Sequence, residues 1–320
     1  MATHTYRREA VEVPGGAATV GVWDPVDPAP AGAPAVCVIH GITSNHLMLA
    51  AVVEALPGLR VIGPDLRGRA GSRDLGAPYG MRAQAETVLA AIRELLPAGD
   101  VVLVGHSLGG YIAMTVAGLL AEAAPGYRFL GPVVIDGGTP RPPRARKDDT
   151  TEALLEAFGP AARLGRAFAD VDEYLGFFRA HPSFAAGVDP VARASFEYDL
   201  VGDAEHGYRA STVVEAMQAD SDDVYGSADY LTAFERVMSD PSHRDGVWLI
   251  SAESDLVAAK PGLHPAALLD EYRTRWPHLH IAEVAGTNHY DVILAEAGVR
   301  ACADAVHAVI DGARMTPGGS

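Results

Sequence analysis

The run Val101-Val102-Leu103-Val104-Gly105-His106-Ser107-Leu108-Gly109-Gly110 sets a serine where an apolar strand pattern gives way to helical spacing. A serine on so sharp a strand-to-helix turn presents its hydroxyl as a nucleophile. Gly105 and Gly109 are expected beside it because strand and helix must approach closely there. The chemistry that suits such a turn is attack on a carbonyl carbon. Negative charge then builds on the carbonyl oxygen, and the Leu108 N–H, at the positive end of the following helix, is placed to receive it. A second donor is expected from Val36-Cys37-Val38-Ile39-His40-Gly41-Ile42-Thr43-Ser44, an apolar strand that opens into a turn. The Ile42 N–H is the candidate, with His40 and Gly41 shaping the turn and bordering the substrate. Gly-x-Ser-x-Gly also occurs in ordinary loops; the strand before it and the helix after it single this one out.

A serine hydroxyl is a weak nucleophile and needs a base, itself oriented by an acid. Elbows of this kind take their partners in the chain order serine, acid, histidine. Of twelve histidines, only His264, His278, His280, His289 and His307 follow the late strand pattern Val247 to Ser251. His289, in Ala285-Gly286-Thr287-Asn288-His289-Tyr290, falls between a strand and a helix and is the candidate base. His278 and His280 flank a strand start and should face solvent, and His307 lies inside the final helix. His106 reads as a packed neighbour of the serine. For the acid, Asp255 is expected, at the end of Val247-Trp248-Leu249-Ile250-Ser251-Ala252-Glu253-Ser254-Asp255, because that strand-end turn reaches the histidine loop most directly. Its rivals are Glu253 and Asp136, the latter in Ile135-Asp136-Gly137-Gly138. Asp65 is expected to cap or pair within its own loop.

These residues need a rigid frame. Ala10 to Val13 and Ala18 to Trp23 suggest an antiparallel start through Pro14-Gly15-Gly16. The runs Ala35 to Ile39, Arg60 to Gly63, Val101 to Val104 and Pro132 to Ile135 are short and apolar, as parallel strands covered on both faces should be. Val247 to Ser251 and Leu279 to Val284 add two more. Helical spacing covers Leu47 to Leu56, Met81 to Leu96, Leu108 to Ala124, Pro265 to Arg275 and Ala295 to Ile310. Between Pro140 and His243 the strand signal disappears. The segment opens with the basic Arg141 to Lys147 and continues as helical pieces broken at Gly159-Pro160, His181-Pro182, Asp189-Pro190 and Gly202. It also holds seven of the eight phenylalanines: Phe158, Phe168, Phe177, Phe178, Phe184, Phe196 and Phe234. They can build the segment's own core or line an apolar pocket, and Phe177 and Phe178, with Tyr290, are the substrate-contact candidates. The chain thus divides into a core of residues 1–139 and 244–314, an inserted helical cap over 140–243, and a tail, 315–320, expected to be disordered.

At 48% hydrophobic residues the chain can bury a large core, and its formal net charge of −16 repels phosphate backbones and anionic lipid. Nucleic acid and membrane partners are therefore not expected; a small-molecule substrate is. Cys37 and Cys302 read as buried free thiols. The first thirteen residues lack a signal-peptide core and no apolar run reaches transmembrane length, so a cytoplasmic location is expected.

Together the His40-Gly41 turn, Asp65-Leu66-Arg67-Gly68, Gly105-His106-Ser107-Leu108-Gly109-Gly110 and the late histidine loop resemble the α/β-hydrolase superfamily, in its lid-bearing serine hydrolase branch. The resemblance implies an α/β fold with a mostly parallel sheet and an inserted cap. It also implies hydrolysis through Ser107, His289 and Asp255, with oxyanion donors Ile42 and Leu108 and no metal or organic cofactor. The substrate class implied is a small or medium carboxylic ester, lactone or thioester with an apolar acyl or aryl part; the acidic cap makes a strongly anionic substrate less attractive. Ser107 argues against epoxide hydrolases and dehalogenases, which carry Asp at the elbow. Carbon–carbon bond hydrolysis, for which Asn in place of His106 would be expected, cofactor-free haloperoxidase or acyltransferase chemistry, and a lid-signalling receptor are the alternatives.

Overall fold

The computed structural model describes residues 2–27, 29–141, 162–243 and 246–315. The expectations for Arg141 to Lys147 beyond Arg141, for Phe158, for Gly159-Pro160 and for the tail after Met315 lie outside the described residues.

Strands β1 (His4–Val13) and β2 (Gly16–Pro25) form the expected hairpin. Then follow β3 (Ala35–Ile39), β4 (Val61–Pro64), β5 (Gly99–His106) and β6 (Tyr127–Ile135); β7 (Leu200–Asp203) and β8 (Gly207–Ala210) stand apart, and β9 (Trp248–Ala252) and β10 (His280–Val284) come last. Eight of them make one sheet in the order β1-β2-β4-β3-β5-β6-β9-β10. The β1–β2 and β2–β4 pairings are antiparallel, and the rest are parallel.

The helices are α1 (Ala50–Glu54), α2 (Met81–Leu95), α3 (Leu108–Thr115), α4 (Val171–Arg179), α5 (Pro190–Asp199), α6 (Val214–Gly226), α7 (Ala228–Ser239), α8 (Ala266–Arg275), α9 (Asp291–Leu294) and α10 (Glu296–Met315). None among the described residues is long and apolar enough to cross a membrane. Side chains of the central strands alternate between two cores. Cys37, Ile39, Val101 and Leu103 face α2 and α3, while Val36, Val38, Val102 and Val104 face α1 and α10. Coverage on both faces is why these strands read as unbroken apolar runs. Cys37 and Cys302 are buried and unbridged, and burial raises both thiols.

Three expectations need correction. The inserted segment is not wholly helical: β7 and β8 form an antiparallel hairpin closed around Gly202 and Gly207, both at positive φ. Met315 belongs to α10, so that helix runs past the expected end of the folded core. Most consequentially, α7 does not belong over a pocket. Its Tyr230, Phe234, Val237 and Met238 join the core beneath α3, and a Cβ at Gly118 would sit 2.2 Å from the Ala233 carbonyl oxygen. Phe234 is thus a body residue, edge-on to Trp276. The other described phenylalanines of the insertion pack within it. Phe178 stacks on Phe196 at 3.5 Å between ring centroids, with Phe184 edge-on to both. Asp170 and Asp189 cap α4 and α5 by accepting from Glu173 N and Val191 N, and Pro190 occupies the first turn of α5, where its missing N–H costs nothing.

Candidate active site

The elbow is built by close approach. Ser107 has φ 55° and ψ −120°, a left-handed conformation that a non-glycine residue adopts only when its surroundings enforce it. Its N–H donates to Ile135 O at 2.8 Å and its carbonyl accepts from Gly110 N at 3.0 Å. A Cβ at Gly105 would lie 2.1 Å from Gly109 O, and one at Gly109 would lie 2.0 Å from Ile39 O. Only glycine allows β3, β5 and α3 to converge here. Leu108, buried, begins α3, so its N–H is among those with no acceptor inside the helix.

His289 is 3% exposed, and its loop is fixed by its neighbours. Asn288 Oδ1 accepts from Tyr290 N and Asp291 N, capping α9, while Asn288 Nδ2 donates to Ser183 O in the insertion. The carboxylate on the His289 ring is Asp136, not the expected Asp255. His289 Nδ1 donates to Asp136 Oδ2 at 2.6 Å. The sheet order explains the correction: Asp136 ends β6, the strand beside β5, with Ile135 in register with His106. Asp255 lies in the turn after β9, one strand farther away, and its Oδ1 is taken by Val257 N at 2.9 Å and Ala259 N at 2.8 Å. It caps its own turn and presents only its backbone carbonyl toward His289 N, at 3.5 Å. Glu253 is likewise occupied, by Lys260 and Gly286 N.

Asp136 is wholly buried and held on both oxygens. Oδ1 accepts from Ala252 N at 3.2 Å and faces His264 Nδ1 at 3.4 Å. Burial works to raise this carboxyl; the bonds from His264 and His289 outweigh it and hold the acid well below the usual carboxylate range. Asp136 therefore stays ionised and holds His289 as the Nδ1–H tautomer, leaving Nε2 as the basic nitrogen. Among the described residues no hydrogen bond joins the Ser107 hydroxyl to that ring, a contact that in substrate-free sites often tightens only on binding.

His40 and His106 are structural donors. His40 Nε2 accepts from Leu66 N at 2.9 Å, so its Nδ1–H donates to Gly41 O at 2.8 Å. His106 Nε2–H donates to His289 O at 2.9 Å, with the two rings 4.6 Å apart. Burial lowers His40 to about 4 and His106 to about 3. Each ring is neutral in the fold, whereas the unfolded chain takes up a proton near the ordinary value of 6.5. The stability they contribute is complete above that value and falls as pH drops toward the folded values. On going from about pH 8 to about pH 5 each is expected to cost on the order of 2 kcal/mol. Urea unfolding of His106→Gln at the two pH values should show a correspondingly smaller difference than the parent chain.

One small cavity collects the site. Ser107 and His289 line it, together with Gly41, Ile42, Phe178 and Tyr290. Those six were legible in the sequence. His40 sits one layer back, behind Gly41. Phe177 also lies outside the lining, half-buried edge-on against Phe178 with Arg166 over its ring. Met48, Leu256 and Arg163 complete the wall without a sequence signal, and Phe196 joins them as one of the phenylalanines able to line a pocket. The volume, about 40 Å³, holds about three water molecules.

Residues 34–157 match the family described as alpha/beta hydrolase fold. Over 144 residues the chain is 32% identical to lipase LipV of Mycobacterium tuberculosis, a match spanning 45% of this chain and 54% of that lipase. The chain thus aligns with about half the length of this curated relative. Among solved structures, E-2-(acetamidomethylene)succinate hydrolase superposes with a TM-score of 0.69 at 22% identity, covering 96% of this chain and all of that one. The thioesterase domain from the curacin biosynthetic pathway superposes with a TM-score of 0.65 at 19% identity, covering 95% and 99%.

Proposed function

This chain carries the α/β-hydrolase fold, and from that premise we propose that it is a serine hydrolase acting on carboxylic esters, lactones or thioesters with a small apolar acyl part. The observation that carries the reading is the 2.6 Å bond from His289 Nδ1 to the buried Asp136, beside a strained serine in the same cavity. In this reading Ser107 Oγ attacks the carbonyl carbon while His289 Nε2 takes its proton. The oxygen, now negative, is held by the N–H groups of Ile42 and Leu108. Collapse expels the alcohol or thiol, protonated by His289, and leaves an acyl-Ser107 ester. A water deprotonated by His289 then attacks that ester and releases the acid. Asp136 orients the ring and stabilises its cationic form without taking the proton.

The acyl preference rests on the walls. Met48, Phe178, Phe196 and Leu256 offer apolar surface, and a cavity this small favours acetyl and butyryl groups over long chains. A lipase and a thioesterase among the similar proteins are compatible with this bond class.

The test is a fluorophosphonate probe with peptide mapping, alongside p-nitrophenyl esters from acetate to octanoate. Label on Ser107 with highest kcat/KM for the short esters is expected. Absence of label together with absence of turnover would overturn the reading.

A further inference from the structure

The turn that carries the Ile42 N–H has three successive carbonyls, and a buried side chain holds each. His40 Nδ1–H donates to Gly41 O at 2.8 Å. Arg69 Nε donates to Ile42 O at 3.0 Å, and Arg163 Nη2 donates to Thr43 O at 2.7 Å. In a trans peptide the C=O and the next N–H point in opposite directions within one plane. Fixing Gly41 O therefore aims the Ile42 N–H, and fixing the next two carbonyls stops that plane from tilting.

Both arginines are ion-paired with aspartates of the insertion. Arg69 Nη1 meets Asp220 Oδ2 of α6 at 2.6 Å, and Arg163 Nη2 meets Asp199 Oδ2 at the end of α5 at 3.0 Å. All four side chains are at most 3% exposed. The aspartates are fixed in turn: Asp220 accepts from Gly80 N at 2.7 Å and Gln84 Nε2 at 3.0 Å, and Asp199 accepts from Ser211 Oγ at 2.6 Å and from the Tyr174 hydroxyl. Burying an ion pair costs desolvation that its attraction often fails to repay. Two such pairs converging on one turn are therefore poorly explained by stability alone.

We propose that Arg69–Asp220 and Arg163–Asp199 are positioning pairs that set the oxyanion donor Ile42 N–H, so that the oxyanion site is assembled only while α5 and α6 of the insertion are seated. The proposal rests on the reading of Ile42 N–H as an oxyanion donor. Arg163 also borders the cavity, and direct contact with substrate is the competing role.

The test uses the double variants Arg69→Met/Asp220→Asn and Arg163→Met/Asp199→Asn, which remove both charges of a pair and leave no lone buried ion. Amide exchange is read over residues 41–44, and kinetics are measured with a short ester and a trifluoromethyl ketone, whose adduct places an oxyanion in the hole. Exchange at 41–44 should rise more than about tenfold while that of β3 and α3 holds, and kcat should fall about 10²-fold with KM within about twofold. Affinity for the ketone should fall by the same factor as kcat/KM. Unchanged exchange, raised exchange with kcat retained, or a loss confined to KM would each overturn the proposal, the last pointing to substrate contact by Arg163. Arg163→Lys keeps the charge beside Asp199 without the fork and covers a failure of the double variant to fold. It should shift exchange and kcat in the same directions, and no shift in either overturns the proposal. If the parent chain neither labels at Ser107 nor turns over ester, the hydrolase reading fails; the exchange measurement still decides whether the pairs hold the turn.

Discussion

Asp136→Asn is expected to lower kcat for a short ester about 10⁴-fold with little change in KM. The asparagine has nearly the same shape, so its Oδ1 can still accept from Ala252 N. What is lost is the charge facing His289 Nδ1. An amide in that place can stabilise the wrong ring tautomer, with hydrogen on Nε2 and none on Nδ1, and then no basic nitrogen faces the serine. The cationic ring formed as Ser107 attacks also loses its counter-charge. Asp255→Asn should leave kcat within about threefold, because its Oδ1 serves Val257 N and Ala259 N and the oxygen of an asparagine can keep both bonds. Stopped-assay kinetics on the two variants, compared at equal folded fraction, decide between the carboxylates. Equal losses, or a larger loss at Asp255, would reverse the assignment.

The second large effect is at the nucleophile and base. Ser107→Ala and His289→Ala should each cost about 10⁶ in kcat, and the double variant should cost no more than either one, because the groups act as a unit. Additive losses would show that one of them works outside the chain of proton transfer. Ser107→Ala keeps the backbone bonds from Ser107 N to Ile135 O and from Gly110 N to Ser107 O, and a Cβ is already present at this positive φ. Its stability in urea should match that of the parent, so the loss can be read as chemistry.

How far the sequence carried this picture depends on which information is local. The elbow is local: an apolar strand, two glycines and the start of a helix lie within ten residues, and the structure places Ser107 at their junction. His289 was equally accessible, because a histidine between a strand and a helix can only sit in a loop. The acid was not. Asp136 and Asp255 both end apolar strands, and choosing between them needs the order β5-β6-β9, which comes from pairing across the chain. The signal present was Asp136-Gly137-Gly138: Asp136 turns at φ 45° and Gly138 at φ 71°, a bend at the C-terminal end of β6 that folds the carboxylate back toward the elbow. Arg163 carried no signal, since an arginine in a helical insertion is ordinarily solvated and only its burial against Asp199 marks it out. Asp65 fills the local role expected of it, accepting from Gly71 N at 3.0 Å, and also reaches beyond its loop: it pairs with His46 at 2.7 Å and accepts from the Tyr198 hydroxyl of the insertion.

The docking of α7 beneath α3 bears on how the insertion can be exchanged or moved. A graft joined at residues 140 and 243 would carry α7 away with it and strip Tyr230, Phe234, Val237 and Met238 from the main core, so the module fails as a cassette at those seams. The workable downstream seam lies at Ser227, which ends α6 and caps α7 by accepting from Tyr230 N. The same boundary leaves α7 as the anchor that fixes the downstream end of the insertion on the body.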